Sequence, residues 1–198
     1  MTKPTTKRSP TTDYAAFLRG INVGGNNIIA MADLRAMCAD IGFTKVKTIL
    51  ASGNVVFTAS GGTAATVGAK LAAKLHDATG RDISVIIRTV DQIRAMLAAA
   101  PFAGIVVTPD TRLYVTLLPA PSASKLKLPY TSPDGGFRIL RVAGADVFSV
   151  LTVSPDHRTV DAMQILEKEF GKSITTRNWN TIAKIAAARP SPNPTPNP

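Results

Sequence analysis

Apolar residues recur along this chain with two periods, and the switches between them outline its elements. Tyr14 to Leu18 is a short apolar run that predicts a first strand. Leu34, Met37, Cys38 and Ile41 then fall at i, i+3, i+4 and i+7, one stripe of a helix. Asp33 suits the positive end of that helix, and Gly42 suits the position just past its end. Val46–Leu50 and Val55–Phe57 predict two strands, joined by Ala51-Ser52-Gly53-Asn54 with the turn chemistry of a tight hairpin. Val67, Leu71 and Leu75 mark a second helix that ends at Gly80, and Ile83–Ile87 predicts another strand. The order β-α-β-β-α-β is the split βαβ, ferredoxin-like plan: two helices on one face of a four-stranded antiparallel sheet.

The second half is less regular. Thr89-Val90-Asp91-Gln92 fits a capping box before a helix that buries Ile93, Met96 and Leu97. Leu113–Leu118 predicts a strand and Ser122–Leu128 a short helix. Phe137–Val142 and Val147–Val153 predict a hairpin across Ala143-Gly144-Ala145-Asp146. Val160, Met163, Leu166 and Phe170 stripe a helix closed by Gly171, and a last helix is expected from Asn178 to Ala188. The fold class expected is α+β, with two ferredoxin-like halves whose antiparallel sheets are covered by helices. The halves are placed at 14–100 and 101–188. A disordered basic arm (1–13) and a Pro-rich disordered tail (189–198), with proline at every second position from Pro190, are expected outside them.

Composition narrows the classes. Hydrophobic residues make up 45% of the 198, enough for a core without staples. The single cysteine, Cys38, rules out an intramolecular disulfide and a cysteine-based metal cluster; it reads as a small buried hydrophobe. No 18-residue apolar run and no signal-peptide pattern occur, so no membrane partner is expected and the reading is cytoplasmic. The net charge is +10, of which residues 14–188 carry +7 spread without a dense stripe. That balance favours anionic partners in general.

The chemistry is mostly in what is missing. There are two histidines and no His-x-x-x-His pair, no Gly-x-Ser-x-Gly elbow, no Walker A loop and no dinucleotide fingerprint. No metal or cofactor is expected, and whether the chain is an enzyme stays open. What remains is a polar loop, Arg19-Gly20-Ile21-Asn22-Val23-Gly24-Gly25-Asn26-Asn27, and the segment Arg177-Asn178-Trp179-Asn180 at the mouth of the last helix. Asn and Gly reach left-handed backbone cheaply, so the loop can aim amides at one point. A guanidinium beside it takes a phosphate or carboxylate bidentately. The expected ligand set is Arg19, Asn22, Gly24, Gly25, Asn26, Arg177 and Asn178 around a small anion held between the two segments. Two alternatives stay open: contact with nucleic-acid phosphates, and a non-enzymatic protein-interaction module. Strands 46–50 and 83–87 carry no aromatics, which counts against base stacking on that sheet.

Leu18 through Asn27 followed by Met31-Ala32-Asp33-Leu34-Arg35 resembles the opening motif of the DUF1697 family, uncharacterised bacterial proteins. Ile41-Gly42-Phe43 through Thr48, with Ser52-Gly53-Asn54-Val55-Val56-Phe57, resembles its second block, and Thr175-Thr176-Arg177-Asn178-Trp179-Asn180-Thr181-Ile182 its last. The three blocks span residues 14–188 in register. The resemblance implies two ferredoxin-like halves and no established activity. Relatives carry a glycine and a Gly-Arg-Ser-Lys-like stretch after the last hairpin; here the region reads Ser154-Pro155-Asp156-His157-Arg158-Thr159-Val160-Asp161.

Overall fold

A computed structural model describes residues 10–24, 28–154 and 159–188, the side chains of 159–161 excepted. The expected tail, residues 1–9 of the expected arm and the altered stretch at 155–158 lie outside the described residues, as do Gly25 and Asn26; Thr11–Asp13, expected in the disordered arm, are instead strand residues paired with Thr58–Ser60. The chain divides into two compact units: residues to Asp91 with the stretch from Ala188, and Gln92–Ala187.

The first unit contains β1 (Thr11–Leu18), α1 (Met31–Asp40), β2 (Thr44–Thr48), β3 (Asn54–Ser60), α2 (Ala64–Thr79) and β4 (Val85–Thr89). The sheet order is β2-β3-β1-β4, antiparallel throughout, as the split βαβ reading requires. One sheet face carries Tyr14, Ala16, Leu18, Val55 and Phe57, and it packs on Leu34 and Cys38 of α1 and Val67, Leu71 and Leu75 of α2. Phe43 stacks on Phe57 at 4.2 Å between ring centroids, sealing the β2 end of this core. The stripes predicted from sequence are therefore the buried faces. Cys38 is fully buried, and burial pushes its thiol up to about 12.

Leu50 departs from expectation. It ends no strand; it sits in the β2–β3 turn with φ +59 and is half exposed. The cause is Asn54, wholly buried, whose Nδ2 donates to the Ile49 carbonyl and to Ser52 Oγ, each at 3.0 Å, and so folds the turn early.

The second unit opens within α3 (Val90–Ala98), whose first two residues fall in the first unit. It continues with β5 (Thr111–Leu117), β6 (Tyr130–Thr131), β7 (Phe137–Ala143), β8 (Asp146–Thr152), α4 (Thr159–Phe170), β9 (Thr175–Asn178) and α5 (Trp179–Ala187). Its sheet order is β6-β7-β8-β5-β9. Without β6, that order has the same form as the first sheet, with β5, β7, β8 and β9 as the four strands and α4 as the second crossover. Leu118, Phe137, Ile139, Val147 and Leu151 pack on Leu166 and Ile174.

One expectation fails here, and one strand is unforeseen. Residues 122–128 form no helix. Leu126, Leu128 and Tyr130 alternate against the core, which is a period of two, and the Glu169 carboxylate of α4 accepts the amides of Lys125 and Leu126 and the Ser124 hydroxyl. Those bonds replace the ones a helical turn would have made. The segment 175–178 is a short strand paired to β5 that runs straight into α5, so an unforeseen strand leads into the expected helix mouth at 177–180; its β-branched Thr175 and Thr176 suit a pleated edge.

Candidate functional site

The Gly/Asn loop is held shut by one side chain. Asn22, at φ +55, accepts the Ile29 N–H on Oδ1 at 2.8 Å. Its Nδ2 donates to the Ile29 carbonyl at 3.0 Å and to the Ala51 carbonyl at 2.8 Å. The carboxamide thus joins residues 22 and 29 and ties both to the β2–β3 turn. Both Nδ2 hydrogens are spent in doing so. The backbone reinforces the junction: Leu18 N–H donates to Gly53 O at 2.8 Å, and Arg19 N–H to Ser84 O at 2.9 Å.

Gly24 takes φ +58 in open surroundings, the left-handed turn expected of this loop. The chain then enters α1 through Ala30, which is extended and supplies no side-chain cap. The amides of the first turn of α1 receive nothing from that position. α2 differs: Thr63 and Thr66 form a complete capping box. The described end of the loop is also apolar. Val23 (64% exposed), Ile28 (75%) and Leu50 (50%) each adjoin in sequence one of the three residues joined by the Asn22 carboxamide. Arg19 is half-buried at the exit of β1, and Arg35 on α1 donates to Thr48 Oγ1 at 2.9 Å.

In the second unit, Arg177 lies on β9, directly opposite Val115 of β5. Its Nη1 donates to Thr175 Oγ1 at 2.7 Å and the Thr176 carbonyl at 2.9 Å, and burial pushes its guanidinium down to about 10. It stays cationic at neutral pH. Asn178 Oδ1 accepts the Asn180 N–H at 2.9 Å and so caps α5. The Trp179 ring packs edge-on to Phe102 at 5.1 Å and Phe148 at 6.2 Å, an aromatic anchor.

Arg19, Asn22 and Gly24 thus share one loop of the first unit, and Arg177 and Asn178 share one strand–helix junction of the second. The partner of the loop, Ala51–Asn54, reads in sequence as a hairpin turn and part of a family block, and nothing in it signals the bond from Asn22 to Ala51. Two open clefts of the first unit lie elsewhere: one between α2 and the approach to β4, near His76 and Asp82, and one where Gly42, Gly62 and Lys70 meet. His76, on the exposed side of α2, pairs with Asp82 at 3.0 Å. Among the described residues no three His, Cys, Asp or Glu side chains converge for a metal. No helix of the described residues is long and apolar enough to cross a membrane.

A family model described as "Protein of unknown function (DUF1697)" matches residues 11–148. No curated protein matches the chain. The fold is similar to a solved structure described as conserved bacterial protein SP0830 from Streptococcus pneumoniae. The TM-score is 0.62 at 22% identity, covering 90% of this chain and 98% of that one. That likeness concerns fold alone.

Proposed function

The chain belongs to the DUF1697 family, whose function is unknown, and from that premise we propose that its Gly/Asn loop binds a small anionic ligand bearing a phosphate or carboxylate. One observation carries the reading. The loop is braced by the Asn22 carboxamide yet delivers the chain into α1 with no side-chain cap at Ala30. The Asn22 carboxamide ties residue 22 to residue 29 and to the β2–β3 turn, and an uncapped helix start is a seat for negative charge. In this proposal Gly24, with Gly25 and Asn26, supplies backbone amides, Arg19 supplies charge, and Asn22 positions the loop rather than touching the ligand. Val23, Ile28 and Leu50 give an apolar part of the ligand a surface to lie on. Arg177 and Asn178 are not needed by this reading.

The experiment is a thermal-shift titration with inorganic phosphate, acetate and simple organic phosphates at fixed ionic strength. A ligand that binds only the folded state adds about 2.7 kcal/mol at a hundredfold excess over Kd. A saturable rise, weakened in Arg19→Gln and strengthened in Asp33→Asn, which removes a carboxylate from the first turn of α1, supports the proposal. No rise with any anion, or a rise untouched by either substitution, sinks it.

A further inference from the structure

The second unit carries a basic face that the sequence pattern conceals. Arg138 and Arg141 are three residues apart on β7, a spacing that puts side chains on opposite faces of a regular strand. A bulge intervenes. Arg138 pairs with Val150, Ile139 with Ser149, and Arg141 with Phe148, leaving Leu140 as the extra residue. Val150 and Phe148 are two apart on β8, so both arginines stand on one face, about 7 Å apart along the strand. Both are exposed.

Their surroundings add charge and a stacking surface. The Arg141 guanidinium lies over the Phe148 ring, 5.1 Å from its centroid. Phe148 is itself 2% exposed and wedged edge-on against Phe102 and Trp179. One face of the guanidinium is therefore fixed on a rigid aromatic base, while Arg141 remains open to solvent. In the segment leading to β6, Leu126, Leu128 and Tyr130 face the core and Lys125 and Lys127 alternate outward. Between residues 120 and 145 the sequence has four basic residues and one acid, Asp134, and the Glu169 carboxylate of α4 lies against Lys125. Asp134 accepts the Ser132 hydroxyl and the Gly136 amide within its own turn.

Arg138 and Arg141 stand on one face about 7 Å apart along the strand, which fits two anions in line better than a single one. The exposed face of a stacked guanidinium adds a platform for a planar base. We infer that the β7 face of the second unit docks single-stranded nucleic acid, with Arg138 and Arg141 on neighbouring phosphates and one base stacked on Arg141. The assignment does not depend on the anion proposed for the first unit.

The test is fluorescence anisotropy of labelled oligo(U) and oligo(dT) on the full chain across a salt series starting at about 50 mM. Each phosphate contact contributes roughly 0.7 to the log–log salt slope for a single strand. Arg138→Gln/Arg141→Gln is expected to shallow the slope by about 1.4 and to weaken binding at every salt. Lys168→Gln/Lys172→Gln removes the same charge from α4 and the residue after its closing glycine, and is expected to leave both unchanged. Arg141→Lys, which keeps the charge and gives up the flat stack, is expected to hold the slope while weakening binding several-fold. Comparing the two oligomers tells whether the 2′-hydroxyl matters. No binding of either oligomer at about 50 mM salt overturns the inference, as do equal losses in the two double variants. Equally tight binding of polyglutamate, lost with Arg138 and Arg141, also overturns it, in favour of an acidic protein partner.

Discussion

Gly53 is the position where the braced loop is most exposed to a single added atom. Its φ is +75, and a Cβ built there lies 2.8 Å from Ile21 Cγ1, 2.9 Å from Ile21 Cδ1 and 3.0 Å from Leu18 Cβ. Leu18 and Ile21 are essentially fully buried in the first core, so neither side chain has free space to retreat into. The backbone is also held, because the Gly53 carbonyl accepts the Leu18 amide. Gly53→Ala therefore incurs two costs: about 1–2 kcal/mol for a left-handed alanine and roughly 1–3 kcal/mol for overpacking. Gly20→Ala, on the loop that this turn braces, is the control. Its φ is +65, but nothing lies within 4 Å of the added carbon, so only the first cost applies.

With a urea m-value of about 2 kcal/mol/M, the packing cost separates the two midpoints by roughly 0.5–1.5 M. Circular dichroism against urea reads this directly. In an Ile21→Ala background the nearest contacts are gone, and Gly53→Ala is expected to cost close to what Gly20→Ala costs. Coincident midpoints for the two single variants would refute the close approach of the turn to the loop. So would a Gly53→Ala cost that Ile21→Ala does not relieve.

Three further outcomes are expected. Asn22→Ala loses three hydrogen bonds and puts alanine at φ +55, a loss of roughly 2–4 kcal/mol, whereas Asn22→Gly keeps the backbone at ease and retains about 1 kcal/mol more; calorimetry that ranks alanine above glycine contradicts the brace. Burial pushes the Glu169 carboxyl up, but bonds from Ser124, Lys125 and Leu126 together hold it below its ordinary 4.5. The folded group binds its proton more weakly than the unfolded one, so the anchor stabilises the protein above about pH 4.5 and that contribution fades as pH falls through the lower folded value. Glu169→Gln is expected to flatten the acid limb of the stability–pH curve and to leave its neutral limb lower; an unchanged acid limb removes Glu169 as the anchor. The Cys38 thiol, buried and raised to about 12, is expected to ignore a disulfide reagent at pH 8 until the chain is unfolded; fast labelling of the native protein refutes its place in the core.

The first unit was legible in sequence because its periods are clean. Leu34/Cys38 and Val67/Leu71/Leu75 repeat at helical spacing, and every switch of period coincides with a turn signal. The second unit hid features made by distant partners. Residues 122–128 read as a helix because nothing local reveals that a carboxylate more than forty residues away takes their amides. β9 is four residues long, too short for an alternating pattern to declare itself, and its pairing to β5 is a contact across sixty residues of sequence. The bulge that aligns Arg138 with Arg141 is a property of pairing, and it leaves no mark in a sequence of ordinary strand residues.

The candidate loops show the same limit in a sharper form. Asn22 and Asn178 look alike in sequence, each a polar residue next to an arginine-bearing segment and upstream of a helix. Their side chains do opposite things to the helix that follows. Asn178 spends its oxygen on the amide of Asn180, in the first turn of α5, and that helix start is answered from within the chain. Asn22 spends its carboxamide on Ile29 and Ala51, bracing the approach to α1 while the position that would cap it is an alanine. An amide already satisfied has little to gain from an external anion, since binding then exchanges one hydrogen bond for another. An amide left to water exchanges hydration for a charge-assisted bond, which is the more favourable trade. The difference between two asparagines in what they bond to is the physical reason to look for a ligand at the first loop before the last helix.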